Sequence, residues 1–517
     1  MKKSFLLSIF AIATLASCQK DADIAVGGQT VEATFEATIL TNATRTTAEV
    51  GDGVVSVLWA EDDAISMFAK GTTNSELTLE GEGGTTTGSF TGTITEGDSG
   101  SYIAYYPYAA ANALNDTTLN VTLPAEQTYV EGSLASAPML AVSQTKSLAF
   151  ENLAALVRIV LKSEDNHEIT SVALRGNAGE ALAGAATVDV SAGTLALAQD
   201  AEATTLTLDC GEGITLSAEG TSFYFVVPAM TLANGFTIVA TCADGDVMTK
   251  STNDNVTLEA AKVYDYAAIE FEANTTIATN ANFATVLAAA EEGEVIMFGE
   301  DITTAERLNI TPEDITIDLN GNEWTFDIAN YGIVNSGTLT LVNGNINFNS
   351  SADSTAAIAN KGTLKLNYVN IDSNQSCVTN LGVWDYNQPL ENQVTPTVKW
   401  DIVGGTFTST WTHPQDHPNH AYAINCIDNA VITITDATVE GDGGIYVSCA
   451  YADLKNVASS KNCTSGGRGL YICCSTVDYD SNENISDIFV DTNTEWASTY
   501  GKTIVNEQEY TTQTVLK

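Results

Sequence analysis

Basic residues are scarce in this 517-residue chain: 20 Lys and Arg stand against 65 Asp and Glu, a formal net charge of −45. No basic surface remains to neutralise phosphates, which excludes a nucleic-acid binder. Docking onto anionic lipid through a polybasic patch is excluded for the same reason. Proline is thin as well, nine residues in all, and that rules out collagen-like and polyproline architectures. Charged residues are only 16% of the chain while hydrophobic ones reach 44%, so the acidity is not the mark of disorder. Walker, Rossmann and Gly-x-Ser-x-Gly patterns are absent. What the chain does have is Thr, Ser, Asn and Gly between short alternating apolar runs, the composition of a turn-rich β protein. At about one domain per 150 residues, two or three domains are expected.

The N-terminus reads as an address. Lys2 and Lys3 precede the apolar run Phe5 to Leu15 and then small residues, giving a signal peptide over 1–17. The run is too short to span a bilayer comfortably. Leu15-Ala16-Ser17-Cys18 resembles the lipobox of bacterial lipoproteins, which implies lipidation of Cys18 and a lipidated linker over 18–30. Gln19-Lys20-Asp21-Ala22-Asp23 is similar to the acidic export tag of some surface lipoproteins. Two or more acyl chains supply stable anchoring, so the expected location is the outer membrane, facing the exterior. The remaining cysteines then sit in an oxidation-permissive compartment. Their spacing is not that of paired CxxC ligands, so a zinc ribbon is not expected. Cys210 and Cys242 each end a β-like run, and either a strand-end disulfide or buried free thiols fits them.

From Val31 to about Phe271 apolar residues alternate with period two, broken by Gly, Asn and Asp clusters. Many short strands at this spacing predict antiparallel β-sandwiches, split into subdomains over 31–155 and 156–272. The first carries Thr44-Arg45-Thr46, Trp59 with Asp62-Asp63-Ala64-Ile65, Tyr105-Tyr106-Pro107, Leu123-Pro124, Gln127, Pro138-Met139-Leu140 and Phe150 to Arg158. In this order and spacing these residues resemble the fimbrillin-like lipoproteins, shell and tip components of protease-processed pili. The resemblance implies a protease cut in the loop after the first strand, and fimbrial subunits as partners. Arg45 is the single basic residue between Lys20 and Lys70 and is the processing candidate. A shaft subunit of that family keeps its C-terminal segment free to donate, whereas here a long second half follows.

That second half opens on a helix expected over 280–292, with Asn280 or Asn282 as N-cap and Gly293 ending it. Strand after strand follows, and a repeat is visible. Ile333 recurs at Ile358, 25 residues on; Ile424, Ile445 and Leu470 follow at intervals of 21 and 25. Ile358 to Ile424 is 66, or three times 22. A second row runs through Leu339, Leu364, Ile432, Leu454 and Val477. Such a period is one turn of three short strands and three bends. It resembles the pectate-lyase-like superfamily, which implies a right-handed parallel β-helix over 273–517 with an N-terminal capping helix. The fold class expected is therefore all-β. Cys449 and Cys474, each four past a repeat position, are expected to stack on adjacent rungs.

Enzymes of that superfamily use carboxylates, and an inverting glycosidase needs two of them roughly 6.5–9.5 Å apart. Asp372, Asp436, Asp442 and Asp453 are candidates, but acidic residues are everywhere in this chain. No catalytic residue is assigned, and no cofactor. The function expected is a surface lipoprotein, an adhesin or pilus-tip-like subunit, binding a host or bacterial glycan or protein through the coil. The alternative is a surface glycan-degrading or glycan-capturing enzyme. The ligand surface expected is the interval between Val378 and Ala421, where the coil period is interrupted. Three of the six Trp and three of the four His fall there. Trp400 alternates with Val398 and Ile402 and reads as core. Trp384, Tyr386, Trp411, His413 and Asp416 lie in loop-like sequence suited to sugar stacking or protein contact. His413, Asp416, His417 and His420 also form a candidate divalent site for Zn²⁺ or Ni²⁺, set against a plain solvated loop covering the stack.

Overall fold

The structure, a computed structural model, describes residues 29–40, 44–46, 57–97, 99–131, 137–201, 203–311, 314–381, 389–393, 398–412, 421–462, 467–480, 484–492 and 502–516. Cys18, Trp384, Tyr386, His413, Asp416, His417 and His420 lie outside them.

Strand Gln29–Ile39 alternates strictly, with Ala33, Phe35, Ala37 and Ile39 buried. It pairs antiparallel with Thr87–Glu96 along one edge and parallel with Ser147–Asn152 along the other. With Met139–Ser143, Tyr102–Tyr106, Ala64–Ala69 and Asn74–Glu80 these strands close a seven-stranded barrel. The expectation of a sandwich over 31–155 is corrected here. Period-two alternation marks an inner face but not whether the sheet closes, and closure comes from the long first strand using both edges. Trp59, 1% exposed, fills the interior, edge-on to Phe90, Tyr106 and Phe150 at 4.8, 5.5 and 5.3 Å.

The second region is a sandwich. Ala154–Lys162, flanked by Thr221–Pro228 and Lys262–Asp265, faces a sheet in which Glu168–Gly176 is flanked by Thr205–Thr215 and Phe236–Cys242. Val157, Ile159, Phe223 and Phe225 meet Val172, Leu174 and Ile238 between them. The two regions interlock. Thr118–Leu123 pairs with Gly184–Asp189, Glu126–Thr128 pairs with Thr205–Thr215, and the Gln127 amide bonds both polar groups of the Val226 backbone at 2.9 and 3.0 Å. Arg45, expected in a loop, lies on the short strand Thr44–Thr46, where it registers with Val263.

The sandwich continues into the coil through one antiparallel step, Val247 opposite Thr275, after which Thr275–Ala278 pairs parallel with Val295–Phe298. Between these two strands lies helix Phe283–Ala289, shorter than the 280–292 expected because Ala290 already turns to extended backbone. Phe283 packs edge-on against Phe298 and Trp324 at 5.4 and 5.2 Å, and Val286, Leu287 and Ala290 join the same core. The helix thereby covers the first rung.

From Val295 to Cys473 each turn adds one strand to each of three parallel ladders. The first includes Val295–Phe298, Ile315–Asp318, Lys399–Val403, Val431–Thr435 and Tyr451–Lys455. The second includes Ile302–Thr304, Glu323–Ile328, Thr406–Ser409 and Thr438–Gly441. The third runs from Leu308–Ile310 through Ile333–Asn335, Ala356–Asn360, Ser376–Asn380, Tyr422–Ile427, Gly443–Ser448 and Leu470–Cys473 to Ile488–Asp491. Thr338–Ser350 and Thr363–Ser373 bend midway and serve both of the first two ladders. Ile333, Ile358, Val378, Ile424, Ile445 and Leu470 form one inward row. Val378 belongs to that row, so the 66-residue interval spans two turns and not three. In the second row Ile432 registers with Ala452, and Leu454 with Ile434. At the bends, fully buried Asn335 donates to the Asn360 carboxamide at 2.7 Å, and Asn360 to the Gly362 carbonyl at 2.8 Å. These side chains satisfy backbone groups that the turns would orphan.

Candidate functional site

Where the sandwich meets the coil, the strand ends of the former overhang the outward face of the first ladder and leave a cleft of about 470 Å³. Its floor follows from strand alternation. Ile315, Leu339, Leu364 and Trp400 point into the core, so Thr316, Thr340, Lys365 and Asp401 rise in register on the outside. Its wall comes from the turns after Glu168–Gly176 and before Phe236–Cys242.

Hydrogen bonds hold that wall in place. Asn177 donates to the carbonyls of Asn234 and Thr252, both at 2.7 Å, and accepts from the Thr237 hydroxyl at 2.7 Å. Glu180 accepts from the backbone N–H groups of Ala178 at 3.0 Å and Ala233 at 2.6 Å. Two contacts tie the wall to the floor. Arg175 forms an ion pair with Asp318, which is 1% exposed, and donates to the Asn320 carboxamide at 3.0 Å. Burial pulls the guanidinium down to about 10, still far above neutral pH, so Arg175 keeps its charge. The Asn234 amide donates to the Tyr368 hydroxyl at 3.0 Å, and burial raises that phenol. Tyr368 sits at φ 52°, with Gly404 beside its ring; a Cβ at Gly404 would lie 2.4 Å from Cε1, so the close approach requires glycine. In contrast, the side chains of Asn253, Asn343, Lys365, Asn367 and Asp401 line the cleft without a protein partner among the described residues.

Of the ligand-surface residues anticipated from sequence, Trp411 is among the described ones and does not line this cleft. Trp411, expected on an exposed ligand surface, is 7% exposed, and its indole N–H donates to Asp353 at 2.9 Å. Its sequence neighbours are loop-like, but the ring is packed against an earlier turn. Leu390, from the same interval, lies on the aromatic stack Tyr422, Tyr446 and Tyr471, so this part of the interval covers the coil. The possible disulfide is corrected: Cys210 and Cys242 are free, buried thiols. Glu168–Gly176 runs between their strands, and two strand spacings, about 9.6 Å, exceed what a disulfide spans. Cys449 and Cys474 do stack, at φ 55° and 48°, as free thiols beside Cys473. Asp372 and Asp453 stand on different ladders, and Asp436 in a bend accepts from Asn456 at 2.6 Å. The metal-capable group among the described residues is His167 with Asp244 and Asp246, ligand atoms within 4.8 Å of one another, far in sequence from the histidine run first considered.

Sequence reasoning missed the cleft. One signal was available: Arg175 is the single Lys or Arg between Lys162 and Lys250, placed near the end of a strand, directly after Val172-Ala173-Leu174.

Residues 41–284 match the family model described as Fimbrillin-like, so the chain carries a Fimbrillin-like domain over just under half its length. The match takes in the barrel strands after Gln29–Ile39 and the sandwich, and stops within the coil's first helix. No curated protein matches. Among solved structures, a candidate cell adhesion protein from Bacteroides ovatus is similar at 16% identity, over 46% of this chain and 93% of that one, with a TM-score of 0.30. A second from Bacteroides uniformis has 17% identity over 46% and 92%, TM-score 0.29. A fimbrial protein from Bacteroides vulgatus has 13% identity over 46% and 95%, TM-score 0.24.

Proposed function

We propose that this chain is a lipid-anchored surface adhesin or pilus-tip-type subunit. In this reading Cys18 carries the acyl anchor in the outer membrane, and the Fimbrillin-like domain forms a base facing the exterior. The three-ladder coil, read as a right-handed β-helix of the pectate-lyase-like kind, presents the ligand surface for a glycan or protein. The observation that carries the reading is the Fimbrillin-like match over 41–284 joined directly to a rigid stacked coil. A coil folded after that domain is not an extended strand available for donation, which favours an end position or a lone subunit over a shaft. The role proposed is binding, without catalysis. Fractionation tests it: Cys18→Ala releases the protein from the outer membrane, and intact cells displaying the parent chain expose the coil to added protease. Retention of the Cys18→Ala variant, or protection from protease, rejects anchoring or display. Loss of cell attachment on deleting the gene tests adhesion.

A further inference from the structure

We propose that the cleft between sandwich and coil binds a neutral oligosaccharide. The inference deepens the adhesin reading above, on which it rests, by naming the ligand class and moving its site away from the 378–421 interval.

The first support is the supply of unused hydrogen-bonding groups. Asn253, Asn343 and Asn367 each offer a carboxamide, donor and acceptor together, with no protein partner among the described residues. Lys365 adds donors and Asp401 acceptors on adjacent rungs. Hydroxyl-rich ligands need such mixed groups, because each sugar hydroxyl both gives and takes a bond. The second support is spacing. The floor residues recur every rung, about 4.8 Å, a repeat close to that of sugar rings in an extended chain. The third is Tyr368, half-buried and fixed by Asn234 and by the bare Gly404 beneath it. An aromatic ring locked beside free carboxamides suits the C–H face of a pyranose.

Charge selects among sugars. Arg175, the deepest cation, is consumed by Asp318. Lys365 and Asp401 balance each other in register. Nothing then compensates the repulsion of a polyanion by a chain of charge −45, so uronate polymers and nucleotides are disfavoured. Size selects against a protein ligand, which needs about 1,000 Å² of contact or more. A recess of about 470 Å³ falls in the range of small-ligand sites.

The test titrates the purified full chain with tri- to hexasaccharides of β-1,4-glucose, mannose, galactose, xylose and N-acetylglucosamine, with oligogalacturonate as the anionic probe, read by calorimetry and saturation-transfer NMR. At least one neutral probe is expected to bind saturably. Asn253→Ala/Asn367→Ala should weaken it by about tenfold or more, at two lost hydrogen bonds. Lys365→Ala, on an exposed side chain, provides a second variant that cannot disturb the core. Unchanged thermal unfolding of each variant verifies folding. Overturning results are no saturable neutral probe at about 10 mM, preference for oligogalacturonate, or equal affinity in parent and both variants. Cell attachment separates the two readings: attachment lost with the gene but unchanged in the cleft variants removes the cleft and leaves the adhesin standing.

Discussion

Replacing Arg175 by Met tests how the coil is held to its base. Met keeps much of the length of the arginine stem but removes the charge, leaving the Asp318 carboxylate 1% exposed and facing an apolar side chain. Removing one partner of a buried pair costs about 3–5 kcal/mol, because the surviving charge is desolvated without compensation. Asp318 keeps one bond, from the Asn320 backbone N–H at 2.8 Å, which places the cost toward the lower end. At about 2–4 °C per kcal/mol for units of this size, unfolding should come roughly 10 °C earlier. Arg175→Met/Asp318→Asn removes both charges and leaves the Asn320 contact available. It should recover most of the loss, since a neutral pair in a buried site is often as stable as an ionic one. Thermal and urea unfolding of parent, both singles and the double form a cycle whose coupling should exceed about 2 kcal/mol. A single variant costing under about 1 kcal/mol, or a double no better than the single, would refute the argument.

The native protein should leave its buried cysteines (Cys210, Cys242, Cys377, Cys426, Cys449, Cys473 and Cys474) unreactive toward a thiol reagent until it is unfolded; fast native labelling mapped to them by mass spectrometry would contradict their placement. Burial pushes the Cys242 thiol from its usual 9.0 up to about 11 and Cys210 to about 12. A thiol kept protonated in the fold contributes stability that is whole below about pH 9 and lost as the pH rises through about 11 for Cys242 and about 12 for Cys210. Denaturation midpoints should therefore fall over that window, and fall less in Cys210→Ala/Cys242→Ala; an identical slope in parent and variant would contradict it. Trp411→Ala should cost about 3–5 kcal/mol as a buried aromatic and leave oligosaccharide affinity unchanged; the reverse pattern would restore Trp411 to a ligand surface.

The coil was legible because inward rows must repeat. Ile333, Ile358, Ile424, Ile445 and Leu470 share one register in the sequence and in the structure. Val378 escaped because 46 residues separate it from Ile424, its neighbour in the row, about twice the spacing of the other turns. Closure of the barrel was not legible: which strands flank Gln29–Ile39 is a property of pairing, while alternation reports only one face. Trp411 misled for a related reason. Its partner Asp353 is distant in sequence, and a loop-like neighbourhood says nothing of what a preceding turn offers. Arg175 is a lone cation in its stretch of sequence but carried no meaning there, because its acceptor Asp318 lies 143 residues away, across a junction visible only once both halves are folded.

That junction and the cleft are one piece of structure, which has a thermodynamic consequence. The backbone crosses from sandwich to coil through a single registered pair, Val247 and Thr275, so side chains supply much of the remaining hold. Arg175 with Asp318 and Asn234 with Tyr368 are among those side chains, beside Asn274 and Thr275 on Thr249, and the first two contacts position the cleft's wall against its floor. A ligand spanning wall and floor binds only the docked arrangement, so it must stabilise the junction by an amount set by its concentration over its Kd. At a hundredfold excess over Kd that amount is about 2.7 kcal/mol, comparable to the loss expected in Arg175→Met. Saturating oligosaccharide should therefore raise the unfolding temperature of the parent, and affinity should fall in Arg175→Met although Arg175 has no bond to spare for the ligand. Affinity unchanged in Arg175→Met would mean that the ligand grips one side alone, and the two-walled geometry would then be irrelevant to recognition.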